Sequence, residues 1–227
     1  MEAGSVSAAL KASQEAKGRD PSSATPAFNE YEPTIEAAQA FSDALKDAKK
    51  HLGPAGACVE EKSIEELTGR DEGHSWCRIF LSEDKRSGFV IKNADDLVSV
   101  FSAKGSNSGD AVVEAAVAAG ARRLDCFNTI LPGFYAKHGF RPVARLKFDR
   151  DYAPYDWDYD HFAKFNNGAP DIVFMVYDND FNGNGLSAPV DGIYRSYLAK
   201  ITQESGKLTH SWSFNPQRRH DDVRGCQ

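Results

Sequence analysis

This sequence has no apolar run approaching the roughly 18 residues that a membrane-spanning helix requires, so no transmembrane segment is read from it. The first twenty residues, MEAGSVSAALKASQEAKGRD, lack the apolar central stretch of a secretory signal, and the expectation is a protein that stays in the cytoplasm. Cysteine is scarce. Cys58, Cys77, Cys126 and Cys226 stand far apart and form no C-x-x-C pair, which excludes both the spacing of a zinc cage and a redox dithiol; no metal is expected. Positive charge is also in deficit. With a formal net charge of −6, the chain lacks the basic face that neutralises phosphates, and ArgArg at 122–123 or 218–219 does not supply one. That argues against a nucleic-acid partner.

What is present is an ordinary globular composition, 41% hydrophobic and 11% aromatic, in a chain of 227 residues, enough for one well-filled core with length left over for arms. Residues 1–33 are polar and proline-bearing without a sustained apolar face and read as a flexible arm. Residues 34–180 read as one domain, and 181–227 as a C-terminal helix (VDGIYRSYLAKITQES) followed by a polar tail. Either end could hold a protein assembly partner.

Within the domain, Thr34 opens a segment with Ile35, Ala38, Phe41, Leu45 and Ala48 at helical spacing and Gly53 as its stop. ACVEEKS (57–63) is a short strand candidate, and SIEELTGR a short helix or turn. The period then changes to two, and WCRIFLSEDKRSGFVIKNADDLVSVFSA predicts strands over 76–82, 87–92 and 97–102 in an antiparallel meander. A Gly/Ser loop leads into an Ala/Val-rich helix over 110–119 that stops at Gly120. A strand at 124–127, a helix closing on Gly139, and strands over 141–149 and 170–178 complete the order. The fold class expected is α/β in the mixed α+β sense, a mostly antiparallel twisted sheet flanked by helices.

The loop KGSNSGDA (104–111) carries the first chemical suggestion. Free backbone N–H groups and the helix dipole at such a junction attract anions, and glycines at 105 and 109 admit close approach, although a plain connection has the same pattern. Asp110 would repel an anion if it faced inward. Next comes NTILPGFYAKHGF. Asn128 ends a strand, Tyr135 follows seven positions on, and Gly139-Phe140 begins four positions after the tyrosine.

Read together, residues 76–149 resemble the GNAT acyltransferase family, whose core runs through a strand meander, a pyrophosphate loop opening a helix, then strand, helix and strand. Gly109-Asp110-Ala111 matches the last three positions of that family's loop, and Asn128, Tyr135 and Gly139-Phe140 reproduce its second pattern; Ser106 stands where the family has Gln or Arg. The resemblance implies a GNAT-like fold and direct transfer of an acetyl group from acetyl-CoA to an amine acceptor. It implies that Lys104, Gly105, Ser106, Ser108, Gly109, Asp110 and Ala111 line the pyrophosphate loop. Backbone N–H groups near Val98 and Val100 would hold the thioester oxygen, and Asn128 would orient the pantetheine arm. Tyr135 is the implied acid, against a reading as a packed helix tyrosine. Candidates for the base are Asp125, His74 and Glu83.

Tyr155, Asp156 and Trp157, in DYAPYDWDYDHF, are candidate contacts for a cationic or aromatic acceptor; the alternative is a loop covering the sheet with aromatic pegs. His138 reads as a helix-surface residue, and Cys126 as a small core residue rather than a nucleophile. The sequence is also similar to GNAT-like proteins associated with phage genomes. That similarity implies a second possibility: a catalytically degenerate assembly component, in the host cytoplasm or the virion.

Overall fold

The computed structural model describes residues 27–103 and 109–184. Seven strands form one mixed sheet: β1 (Phe28–Tyr31), β2 (Cys77–Ser82), β3 (Ser87–Lys92), β4 (Asp96–Ser102), β5 (Arg123–Phe127), β6 (Phe140–Leu146) and β7 (Ile172–Tyr177). Their spatial order is β1-β2-β3-β4-β5-β7-β6, and every neighbouring pair is antiparallel except β4 and β5. Helices α1 (Ile35–Leu52), α2 (Ile64–Leu67), α3 (Gly109–Ala118) and α4 (Leu131–Ala136) flank it. The architecture is therefore mixed α+β, as the alternation of periods predicts.

The period-two strands bury both faces. On one face α1 lays Ala38, Phe41, Leu45 and Ala48 against Cys77, Ile79, Leu81, Val90 and Phe101. Thr34 starts this helix by accepting the Ala37 N–H on its side-chain oxygen at 3.2 Å, and Gly53 ends it at φ 57°. Ile35, on the predicted apolar stripe, is 45% exposed because it begins the helix beyond the edge of this contact. Ser63 and Glu66 close a capping box around α2. On the opposite face α3 and α4 cover Phe80, Phe89, Ile91, Leu97, Leu124, Cys126, Val173 and Met175.

Two expectations are corrected. The arm does not run to residue 33, because Phe28–Tyr31 pairs with Ser82–Ile79 as the sheet's edge and Phe28 is buried. Glu30 accepts two hydrogen bonds from the Arg78 guanidinium, at 2.6 and 2.7 Å, and so pins that edge. ACVEEKS is not a strand. It continues a 3₁₀ turn (Gly53–Cys58) into extended chain lying over the sheet, with the Val59 carbonyl accepting from Lys49 and the Glu60 carbonyl from Ser99. The expected arm residues 1–26, loop residues 104–108 and the C-terminal segment from 185 lie outside the described residues.

Candidate functional site

The sheet has a seam. Every other pair of neighbouring strands is joined by four to six register pairs, but β4 and β5 meet only at Asp96↔Arg123. Beyond that point no register pair joins the two strands, which leaves a gap in the pairing at the middle of the sheet. Parallel strands joined by a helix (here α3) leave such a crevice at their carboxyl ends, a common position for ligands.

The strand on one side of the gap is irregular. β3 and β4 pair Gly88↔Phe101 and Val90↔Val98, so β4 carries one residue more than its partner over this stretch. Ser99 takes up the difference at φ 51°, a left-handed conformation that side chains resist. Its hydroxyl donates to the Glu60 carbonyl at 2.8 Å, which holds the bulge from the α1 side. Gly88 faces the bulge because nothing larger fits: a Cβ there would lie 2.7 Å from the Phe80 carbonyl oxygen and 2.9 Å from the Phe101 ring. Val98 packs with the α1 cluster and Val100 with the α3 cluster, so their backbone lies at the gap's edge.

β5 alternates cleanly across the other side. Cys126 points into the α3/α4 face beside Tyr135, while Asp125 is exposed on the opposite face. Tyr135 is 8% exposed, its ring edge-on to Phe134 at 5.4 Å and to Phe140 at 6.1 Å. Burial pushes its phenol well above the ordinary tyrosine range, helped by the nearby Cys126, Asp125 and Cys58. Cys58 is pushed up to about 12 by burial first and Asp156 second. Burial raises Cys126 well above its usual value. Neither thiol is a ready nucleophile.

The Asp125 face carries a charged group that sequence reasoning missed. Lys62, with its side chain 9% exposed, lies 2.8 Å from Glu60 and 3.7 Å from Glu66. Burial alone would lower its amine, but Glu60 and Glu66 outweigh that and hold it above its ordinary value, with Asp125 contributing. Only the density of Glu around Lys62 in VEEKSIEE hinted at it.

Of the predicted acceptor residues, Tyr155 is 95% exposed and Asp156 lies 4.0 Å from the Lys49 ammonium. Trp157 is a packing peg. It is stacked on Phe162 at 4.2 Å, tilted against Phe127 at 4.6 Å, and donates its indole N–H to the Gly168 carbonyl at 2.9 Å. Through Phe127 this segment covers the same face as Asp125, two residues along β5.

Gly109, Asp110 and Ala111 begin α3; Lys104, Gly105, Ser106 and Ser108 lie outside the described residues. Asn128 follows β5 directly, its backbone N–H donating to the Asp171 carbonyl at 2.6 Å. His74 and Glu83 are exposed in the turns flanking β2. His138 is not a surface residue: it is 4% exposed, with Nε2 2.8 Å from Asp110 Oδ1.

Among the described residues no three His, Cys, Asp or Glu side chains are grouped to hold a metal ion, and no helix is long and apolar enough to cross a membrane. Compared with protein-family models, curated proteins and solved structures, the chain matches none.

Proposed function

We propose that the chain is a GNAT-like acyltransferase that moves an acetyl group from acetyl-CoA to an amine acceptor. The observation that carries this reading is the break in pairing between β4 and β5, with Tyr135 buried on the α3/α4 face of the sheet and Asp125 on the other. A thioester lying across such a gap meets a protonated hydroxyl on one side and an amine entering from the other. The spacing of Asn128, Tyr135 and Gly139-Phe140 supports the same assignment.

The amine nitrogen attacks the thioester carbon, a C–N bond forms, the C–S bond breaks, and the sulfur leaves with the electron pair. β4 backbone N–H groups at the Ser99 bulge, near Val98 and Val100, face the developing oxyanion; preorganised donors of this kind supply a large share of the rate. Burial sharpens the role of Tyr135. An ordinary thiol has a pKa of about 8.5, so a phenol raised above about 10 does not complete a proton transfer to the thiolate. It stabilises the leaving sulfur by donating a hydrogen bond. Asp125, on the acceptor face, takes the proton released by the amine. Both cysteines being held as thiols favours direct transfer over a cysteinyl intermediate.

The test is titration calorimetry of the full chain with acetyl-CoA, followed by release of free thiol in the presence of a set of primary amines. Saturable binding and amine-dependent thiol release are expected. No heat and no competition at millimolar ligand would overturn the proposal and leave the assembly-component reading.

A further inference from the structure

The pair His138–Asp110 lies outside the reaction just described, yet it joins the two helices that flank it. We infer that His138 is a positioning residue for Tyr135, holding α4 in place through a polar tie to the first turn of α3. The inference rests on the acyl-transfer reading above.

The argument begins with the weakness of α4. It has only six residues, no side-chain hydrogen bond at its N-terminus, and Pro132 within its first turn. A helix this short has no stability of its own, so its position is set by what it touches. Apolar contacts do part of this work, with Pro132, Tyr135 and Ala136 buried. Apolar contacts alone allow a short helix to slide or turn about its axis, because they have little directionality. A hydrogen bond does not.

His138 supplies that direction. Three residues beyond Tyr135, its Nε2 donates to the Asp110 carboxylate at 2.8 Å across a 28-residue separation. The imidazole side chain is 3% exposed while the Asp110 side chain is 59% exposed. The histidine is therefore held in the core, and the aspartate reaches in from the rim. Burying an imidazole costs stability unless its polar atoms are used, and this contact offsets that cost at Nε2.

The contact also shares a partner with the tyrosine. The Phe134 ring stands edge-on to both Tyr135, at 5.4 Å, and His138, at 5.3 Å. Gly109, the first residue of α3, faces the same ring, a Cβ there lying 3.7 Å from it. Displacing His138 thus moves Phe134, and with it the wall against which the Tyr135 ring is set. On the far side Gly139, at φ 88°, packs closely against Tyr177: a Cβ there would lie 3.0 Å from that ring. The chain leaving α4 is thus packed against β7 on one side, and His138 ties it to α3 on the other.

The experiment uses the full chain with acetyl-CoA and the primary amine giving the fastest thiol release, and compares wild type, Tyr135→Phe, His138→Ala and the double variant. His138→Ala is expected to lower kcat roughly tenfold with KM for acetyl-CoA changed by less than about twofold, since a small misplacement of a reacting group is felt in turnover. Once Tyr135 has lost its hydroxyl, His138→Ala should have less than about a twofold further effect, because coupled residues are non-additive. Glutamine carries an N–H near the position of Nε2, so His138→Gln should return kcat to within about threefold of wild type.

Multiplicative losses in the double variant, or a His138→Gln variant that melts like wild type yet turns over like His138→Ala, overturn the inference alone. If His138→Ala does not fold, Asp110→Ala against Asp110→Asn makes the same comparison from the exposed side. A wild-type chain with no turnover removes the acyl-transfer reading and this inference together.

Discussion

Replacing Tyr135 by phenylalanine separates chemistry from packing better than any other change in the molecule. The ring makes the packing contacts, edge-on to Phe134 at 5.4 Å and to Phe140 at 6.1 Å, and Tyr135→Phe retains all of them. Loss of the hydroxyl removes at most one hydrogen bond, so stability should change by no more than about 1 kcal/mol, where truncation to alanine would cost about 3–5 kcal/mol. The effect on turnover should be of another order. A positioned donor to a leaving group contributes about 10²–10⁴ in rate, and 10² corresponds to about 2.7 kcal/mol in the transition state.

The assay is kcat for thiol release, the calorimetric Kd for acetyl-CoA, and Tm, measured on one preparation. kcat should fall at least about a hundredfold, with Kd within about twofold and Tm within a few degrees. Burial holds the phenol above its ordinary range, so Tyr135 is not the group expected to titrate in a kcat profile taken below about pH 10. Any alkaline fall in kcat then belongs to another group and should survive in Tyr135→Phe. A variant retaining more than about a third of wild-type turnover would refute the role assigned to the hydroxyl. A variant in which kcat, Kd and Tm fall together would make Tyr135 a structural residue.

Gly88→Ala should destabilise the protein by about 2–3 kcal/mol or more, because its Cβ meets a backbone oxygen at 2.7 Å that cannot swing away; urea denaturation followed by circular dichroism gives the value. Acid should weaken the fold through Glu30 and Asp71. The Arg78 guanidinium holds Glu30 below its usual value; partial burial raises Asp71, but hydrogen bonds from the Ser75 N–H and hydroxyl outweigh it. Both folded values lie below the unfolded ones of about 4.3 and 3.9, so this stability is complete above about pH 5 and is lost as pH falls through the folded values. Tm measured from pH 6 to pH 3 should decline, and Glu30→Gln should flatten the decline.

The sequence disclosed those elements whose periodicity is sustained and whose ends are marked. α1 was legible from Thr34 to Gly53, and the three strands of the meander lie within a residue of their expected bounds. What escaped was set by distant partners. FNEY is too short to alternate visibly, and it becomes a strand only because β2 offers an edge and Arg78 a partner for Glu30. ACVEEKS has a strand's composition but no neighbour to pair with, since the Ser99 bulge engages it by a side chain instead. Helical position at a C-terminus suggested exposure for His138, and only the fold brings Asp110 to it. In the candidate site the Asn128–Tyr135–Gly139 spacing was local and readable. The Lys62 cluster and the parting of β4 from β5 were not, because neither leaves a periodic trace.

The single Asp96↔Arg123 pair also has a mechanical meaning. A sheet joined along one line by one residue pair is two leaves on a hinge, one carrying β1 to β4 and the other β5 to β7. What resists their opening is then not a ladder but the core under α3 and α4, which takes Phe89, Ile91 and Leu97 from one leaf and Leu124, Val173 and Met175 from the other.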